Sequence, residues 1–281
     1  MSELPKISVV MAVYNGAASL QHCLDSYIAQ TYPNKELILI DGGSTDGSVD
    51  ILKANAEHIA YWVSEKDRGI YHAWNKGLEK VTGDWVCFIG SDDYWWADDV
   101  FEKMAPSLID AYPPVRVVYG TIAVLDKSGQ VLRYNGRPWE EAKNDFRHTQ
   151  AIPHPGCMHH RTLFETHGHF DESLRIAGDY DLLLRELKDG DALFVPGVTT
   201  VGFRHGGVSN SPKAMSALLK ELRGIYKKHG IVHSPLWPYS KVTFKMTVTA
   251  WTVRVVGDKG FRYAADGLRR LVGKPAIWSG E

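Results

Sequence analysis

The chain has 281 residues, a formal net charge of -1 and 44% hydrophobic residues, which is enough for a sizeable core and an ordinary globular composition. The near-neutral total hides an asymmetry: over residues 213–274, 13 Lys and Arg stand against 3 Asp and Glu, a balance of +10 that leaves -11 for the rest. An acidic main part without a recognition motif argues against nucleic-acid binding, and the three scattered cysteines, Cys23, Cys87 and Cys157, form no disulfide framework and suit a reducing compartment.

Residues 7–13 are an apolar strand that stops at Tyr14-Asn15-Gly16, after which Leu20, Cys23, Leu24, Tyr27 and Ile28 recur at helical spacing. Only a few polar residues precede this strand, so no signal peptide is expected. Residues 37–40 make a second buried strand. It ends in Asp41 and the loop Gly42-Gly43-Ser44-Thr45-Asp46-Gly47, with a helix over about 48–58. A third strand is expected over 59–64, and the turn Lys66-Asp67-Arg68-Gly69 then opens a helix carrying Tyr71, Trp74, Asn75 and Leu78. The fourth strand, 83–90, runs into Ser91-Asp92-Asp93. Strands and helices alternating over short loops predict an α/β domain with an open, mostly parallel sheet flanked by helices. The first turn lacks the G-x-G-x-x-G spacing of dinucleotide folds, and there is no P-loop.

Two acidic positions each admit two readings. Adjacent carboxylates at a strand end repel one another, so Asp92 and Asp93 call for a cation or a solvated turn; alternatively, one of them caps a helix beginning near Ala97. Asp41 can accept from an N–H or a ribose hydroxyl of a nucleotide, or from the backbone of its own loop.

Beyond the acidic pair, 115–125 and 130–133 predict a hairpin around Asp126-Lys127-Ser128-Gly129, and Trp139 and Phe146 fall in a long connection. Histidines crowd 152–161, but their spacing matches no structural zinc pattern, and alternation along a strand sends His159 and His160 to opposite faces. Asp179 and Asp181 open a helix. The helix dipole favours carboxylates there, and one that faces the crevice at the strand ends can take a proton from a nucleophile. Residues 197–204 are a last strand. Arg204 and His205 then flank Gly206-Gly207-Val208-Ser209-Asn210, a loop able either to close over phosphates or simply to connect. Met215, Leu218, Leu219, Leu222, Ile225 and Tyr226 mark an amphipathic helix ending at Gly230. Residues 242–256 are the most membrane-like stretch, yet Lys245 and Arg254 interrupt them and they are too short to span a bilayer. A cytoplasmic protein is expected.

Together these residues resemble the family 2 glycosyltransferases of the GT-A fold, in particular the bacterial branch that builds O-antigen lipopolysaccharide, capsule and other exopolysaccharides. The likeness covers about residues 5–210. It rests on Tyr14-Asn15, on Asp41-Gly42-Gly43-Ser44-Thr45-Asp46-Gly47, and on Ser64-Glu65-Lys66-Asp67-Arg68-Gly69-Ile70-Tyr71 running into Asn75-Lys76-Gly77. Further on it rests on Ser91-Asp92-Asp93, His154, Phe170-Asp171-Glu172 and Gly178-Asp179-Tyr180-Asp181. The resemblance implies an inverting, metal-dependent transfer of a sugar from a nucleotide-sugar, UDP-linked, to a hydroxyl of a glycan or polyprenyl-linked saccharide. It implies that Asp41 accepts from the uracil N–H, with the main chain at Ala12, Val13, Tyr14 and Asn15 beside the base and Arg68 near the base or diphosphate. Asp92 would hold the ribose or donor sugar, Asp93 would bind Mn2+ or Mg2+, and His205 would be a further metal or phosphate contact. Asp179 corresponds to the general base, with Asp181 as the alternative, and His154, Gly206 and Gly207 to the acceptor side. The chain departs from the pattern at Gly178, where Glu is frequent, and at His72 and Trp74, where relatives commonly carry Asp and Met; these departures bear on acceptor or donor preference.

The resemblance also implies a division at residue 210. A GT-A domain over 1–210 would comprise a nucleotide-sugar half, about 5–110, and an acceptor half, about 111–210, followed by a helical, basic extension over 211–281. The extension's basic and aromatic side chains suit peripheral contact with an anionic bilayer, at the cytoplasmic face of the inner membrane. A nucleotidyltransferase, or a nucleotide-sugar binder without activity, is the competing reading.

Overall fold

The computed structural model describes residues 4–204 and 212–231, together with residues 260, 263, 265–267 and 271. The chain divides into two units, Met1–Arg204 and His205–Glu281. His205, Gly206 and Gly207, and most of the basic extension, lie outside the described residues.

In the first unit, β1 (Ile7–Val13), β2 (Lys35–Asp41), β3 (Tyr61–Ser64) and β4 (Trp85–Gly90) run parallel in the order β3-β2-β1-β4. The apolar runs that form β1, β2 and β4 are buried on both faces, as a helix-covered parallel sheet requires. Val9, Met11, Leu37, Leu39, Cys87 and Ile89 join one core with Leu20 and Leu24 of α1 (Ala17–Ile28) and Phe101 and Met104 of α4 (Val100–Ala111). On the opposite face Ile38 and Ile40 meet Ala73 of α3 (Ile70–Leu78).

The sheet becomes mixed past β4. β8 (Met158–His160) pairs antiparallel with β4 on one side and with β6 (Val117–Leu125) on the other. β6 also carries the expected hairpin partner β7 (Val131–Asn135) and runs parallel to β9 (Leu193–Arg204), whose own antiparallel neighbour is the short strand β5 (Tyr94–Trp95). Three expectations change. The last strand begins at Leu193, not at residue 197. The long connection contains a helix, α5 (Trp139–Phe146), which buries Trp139, Ala142 and Phe146 at helical spacing. Finally, α4 starts at Val100 with Asp99 at its N-cap position and β5 intervenes, so neither Asp92 nor Asp93 caps it.

The remaining elements of this unit are α2 (Ser48–Ala54), α6 (Thr162–His167) and α7 (Gly178–Leu187). In the second unit, α8 (Pro212–Lys228) buries Leu219, Ile225 and Tyr226, in keeping with the expected amphipathic pattern. Among the described residues no helix is long and apolar enough to cross a membrane.

Gly77 sets how closely α3 lies on the sheet, because a Cβ there would stand 2.4 Å from Val10 Cγ1. Alanine would gain about 1 kcal/mol of helix propensity, but overpacking a tight core costs about 1–3 kcal/mol, so steric crowding dominates. Gly77→Ala should therefore lower the unfolding free energy in urea by up to about 2 kcal/mol, despite the better helix former.

Candidate active site

The carboxyl ends of β1, β2 and β4 converge on one polar rim. Asp41 closes β2, aligned with Val13 of β1 and Ser64 of β3. It has no exposed surface. Its Oδ2 accepts from the N–H groups of Gly43 at 3.1 Å and Ser44 at 2.9 Å and from Ser64 Oγ at 2.5 Å, while Oδ1 takes the Ser44 hydroxyl. In this geometry Asp41 organises its own loop, the second of its two readings.

That loop is laced to the turn after β1. Asn15 stands at φ 48°, a left-handed conformation that Asn tolerates; its N–H donates to Ser44 Oγ at 2.7 Å and its Oδ1 accepts from Thr45 N–H at 3.0 Å. Helix α1 has no capping side chain of its own, since Gly16 precedes it. Asp46 Oδ2 instead accepts the Ala17 N–H at 2.9 Å, and Ser48 Oγ accepts that of Gly16 at 3.1 Å. Asp46 Oδ1 also binds the Ser48 N–H and hydroxyl at the start of α2. The Ser48 hydroxyl and the Ala17 N–H hold the Asp46 carboxyl below its ordinary pKa. Ala12 and Val13 lie within β1 beside this rim, and Tyr14 is 67% exposed.

At the end of β4 the chain turns through an Asp93 N–H to Gly90 carbonyl bond of 3.2 Å. Asp92 is exposed, whereas Asp93 is buried with 4% of its surface accessible. The Arg204 main-chain N–H donates to Asp93 Oδ1 at 3.0 Å. Burial raises the Asp93 pKa well above the carboxylate norm, the neighbouring Asp92 charge raises it further, and Arg204 opposes both. Two hard carboxylates, one of them costly to keep ionised, fit a Mg2+ or Mn2+ ion, which ordinarily completes its shell with phosphate oxygens and water. Among the described residues no group of three or more His, Cys, Asp or Glu side chains gathers as a larger cage.

Asp179 lies in the first turn of α7 and is half-buried. Gln150 Nε2 donates to its Oδ2 at 2.8 Å, and the Tyr71 hydroxyl, which also donates to the Ile176 carbonyl at 2.8 Å, reaches Oδ1 at 3.2 Å. Desolvation raises its pKa, and Gln150, the Tyr180 N–H and Tyr71 offset only part of the rise. The helix is firmly moored. Arg116 grips Glu186 through Nε at 3.0 Å and Nη2 at 2.5 Å, the Tyr180 hydroxyl donates to the Phe146 carbonyl at 2.8 Å, and Arg185 Nη1 donates to the carbonyls of His167 and His169. Asp181, the alternative base, is fully buried and ion-paired with Arg185 at 3.1 Å, whereas Asp179 keeps part of its surface accessible.

Tyr71 ties Asp179 to β4, because its ring packs on Trp74 at 5.6 Å and Trp74 on Phe88 at 5.0 Å. The same ring fills the space above Gly178, where an added Cβ would come within 2.7 Å of it, which accounts for the missing glutamate. His154 corrects an expectation. It is 2% exposed, packed among Trp74, Phe88, His159 and Phe170, and burial pushes its pKa down to about 3, so it belongs to the core and not to the acceptor side. Arg68 is exposed and paired with Glu172, and Asn75 bonds both the Phe170 main chain and Glu172 Oε1, which brings two of the sequence motifs together. His72 Nδ1 accepts the Arg68 N–H at 3.3 Å.

Residues 8–167 match the family described as Glycosyl transferase family 2, more than half of the chain. The chain belongs to the family 2 glycosyltransferases. This glycosyltransferase is 32% identical over 186 residues to a PGL/p-HBAD biosynthesis glycosyltransferase of Mycobacterium bovis, covering 64% of the chain and 69% of that relative. Its fold is that of solved GT-A enzymes. The mannosyltransferase PcManGT from Pyrobaculum calidifontis, in complex with GDP-Man and Mn2+, superposes with a TM-score of 0.63 at 19% identity over 99% of this chain and 84% of that one. S. aureus TarS 1-349 in complex with UDP superposes with a TM-score of 0.59 at 17% identity over 77% of this chain; the glycosyltransferase spans 65% of that structure.

Gln150 was not singled out by the sequence as a site residue, and it carries no local signal, since it meets Asp179 only across the fold. The raised Asp179 pKa has a consequence for stability. A carboxyl raised on folding stabilises the folded state when protonated, in full below its unfolded pKa, and that contribution is lost as pH rises through the folded value. The unfolding free energy of the wild type relative to Asp179→Asn should therefore be greatest in acid and fall as pH rises toward neutrality, as followed by urea titrations across that range.

Proposed function

We propose that this glycosyltransferase is an inverting, metal-dependent enzyme that moves a sugar from a nucleotide-sugar, UDP-linked, to a hydroxyl of a glycan or polyprenyl-linked saccharide in cell-surface polysaccharide synthesis. The observation that carries this reading is Asp179: a half-buried carboxylate with a raised pKa, oriented by Gln150 and Tyr71 and braced through Trp74 and Phe88 on the strand that ends in Asp92 and Asp93. GDP-Man and UDP in the two fold neighbours support a nucleotide-sugar donor, and Mn2+ in one of them supports a divalent cation.

Asp93 would hold the cation and Asp92 the ribose or donor sugar. When bound, the cation supplies charge neutralisation for the nucleoside diphosphate leaving group. Asp179 accepts the proton of the acceptor hydroxyl as that oxygen bonds the anomeric carbon, while the bond from that carbon to the diphosphate oxygen breaks on the opposite face. One displacement inverts the centre. Desolvation makes ionised Asp179 a stronger base than a carboxylate in water, and its two hydrogen bonds fix its direction. The laced loops after β1 and β2 supply a rigid floor for the nucleoside, and Arg68 stands on the donor side of α3. The basic extension would dock at the cytoplasmic face of the inner membrane, where a polyprenyl-linked acceptor is presented.

Asp179→Asn should lower kcat by about 10²- to 10⁴-fold while leaving nucleotide affinity near that of the wild type, and loss of affinity in parallel with kcat would count against a base role. Thermal shifts with UDP, GDP, CDP and CMP, each with Mn2+ or EDTA, test the donor site, because a ligand at 100 times its dissociation constant stabilises by about 2.7 kcal/mol. A shift with UDP that vanishes in EDTA and in Asp93→Ala is expected. Co-sedimentation with anionic vesicles, weakened by salt, is the expected behaviour of the full chain.

A further inference from the structure

The inference drawn here rests on the glycan acceptor proposed above, whose sugar residues beyond the reacting hydroxyl need a surface; the strands that follow Asp93 offer one. β5 pairs antiparallel with β9, β9 runs parallel to β6, and β6 pairs antiparallel with β7. The registers align Trp95 with Val201 and Val201 with Ile122, three side chains that enter the core. One position along, they align Tyr94 with Gly202, Gly202 with Ala123, and Ala123 with Tyr134. Residues opposite one another in a sheet share a face, and successive residues alternate. Tyr94, Gly202, Ala123 and Tyr134 therefore form one row on the face turned away from that core.

Two large rings thus bracket two of the smallest side chains. The Tyr94 ring lies over Gly202, where an added Cβ would stand 2.5 Å from its Cζ and 2.9 Å from its hydroxyl oxygen. Trp96 stacks with Tyr94 at 6.2 Å, with 21° between the ring planes, and meets Tyr134 edge-on at 6.4 Å. His22 of α1 extends the run past Tyr94 at 4.6 Å. Neighbouring strands stand about 4.8 Å apart, so the row from Tyr94 to Tyr134 spans roughly 14 Å, more than one sugar ring covers. Tyr134 is 58% exposed, and Tyr94 and Trp96 are partly exposed. Among the described residues nothing hydrogen-bonds the Tyr94 or Tyr134 hydroxyl or the Trp96 Nε1. Rings with apolar faces and unpaired polar edges match a pyranose, whose C–H faces stack on them while its hydroxyls project around the rim. The exposed large aliphatic side chains, Leu4, Ile70, Ile109 and Leu271, all lie off these strands, so this is an aromatic surface and not a general apolar patch. It also begins at the site: Tyr94 follows Asp93 directly, and Arg204, whose N–H bonds Asp93, lies two residues past Gly202.

We propose that Tyr94, Trp96 and Tyr134 form a carbohydrate-binding surface that holds the sugar residues of the acceptor beyond the one that is modified. The acceptor is then an oligosaccharide and not a lone sugar. Gly202 and Ala123 act as positioning residues, since a larger side chain at either would lift the rings off the sheet.

The test is a glycan array of bacterial surface saccharides probed with the labelled full chain, followed by isothermal titration of the bound glycans at increasing chain length. The proteins are the wild type, Tyr134→Ala, Tyr134→Phe, Tyr134→Leu and Trp96→Ala, with thermal unfolding of each as the check on folding. Affinity should rise from the monosaccharide to the longer chains. Tyr134→Ala and Trp96→Ala should each weaken the longer glycan by roughly 10-fold, as loss of an aromatic anchor does. Tyr134→Phe keeps the ring face and should stay close to the wild type, whereas Tyr134→Leu, apolar but without a ring, should behave like Tyr134→Ala. Binding of no glycan by the wild type, equal affinity for short and long chains, or affinity unchanged in both alanine variants overturns the assignment. So does loss of anionic-vesicle binding in these variants with glycan binding intact, which would make the surface a membrane contact. The thermal shift with UDP or GDP and Mn2+, measured on the same proteins, reports the donor reading separately. If that shift persists while glycan binding fails, this inference alone falls; if ring-dependent glycan binding appears without any nucleotide shift, the donor reading alone falls.

Discussion

The first unit depends on a buried charge that is fully satisfied. An unpaired carboxylate in a sheet interior is expensive, and a saturated one becomes a rigid node. Asp41 is such a node: it has no exposed surface, and it joins the end of β2, the following loop and the end of β3 through four donors. Parallel strands end together and leave their last polar groups to the loops beyond, so this side chain determines what shape those loops take. The crevice follows from that choice.

Two further carboxylates accept fewer hydrogen bonds. Asp93 and Asp179 both have pKa values raised chiefly by burial, and among the described residues neither forms an ion pair within 4.0 Å, although the Arg204 charge partly offsets the rise at Asp93. Such groups cost stability in the isolated fold and are retained where chemistry needs them. The fold invests elsewhere to keep them in place, above all in the Arg116–Glu186 pair that fixes α7 and in the aromatic contacts from Tyr71 through Trp74 to Phe88. The two carboxylates thus sit on a frame that gives them little freedom to relax.

The parallel half of the sheet was legible because its signals are local. Continuous apolar runs mark β1, β2 and β4, and each ends at a polar loop whose residues can be read in order. The second half was less legible for equally physical reasons. β5 has two residues and β8 three, too few to show a period, and their pairing is set by partners distant in sequence. The helix around Trp139 carried an apolar repeat at helical spacing, but polar neighbours diluted it. Within the site, Asp92, Asp93 and Asp179 lie at element ends, where sequence alone directs attention. His154 was misleading because a motif position gives no information about burial, and Gln150 was silent because it meets Asp179 only across the fold.

Asp46 carries a further consequence. One carboxylate binds the first N–H of α1 and the first residue of α2, and Asn15 and Ser44 complete the seam between the two turns. The turn after β1 and the start of α1 lack the partners that they need and are finished by the turn after β2. Mutational drift in one is therefore screened by the other, and sequence change here should be inherited in matched pairs.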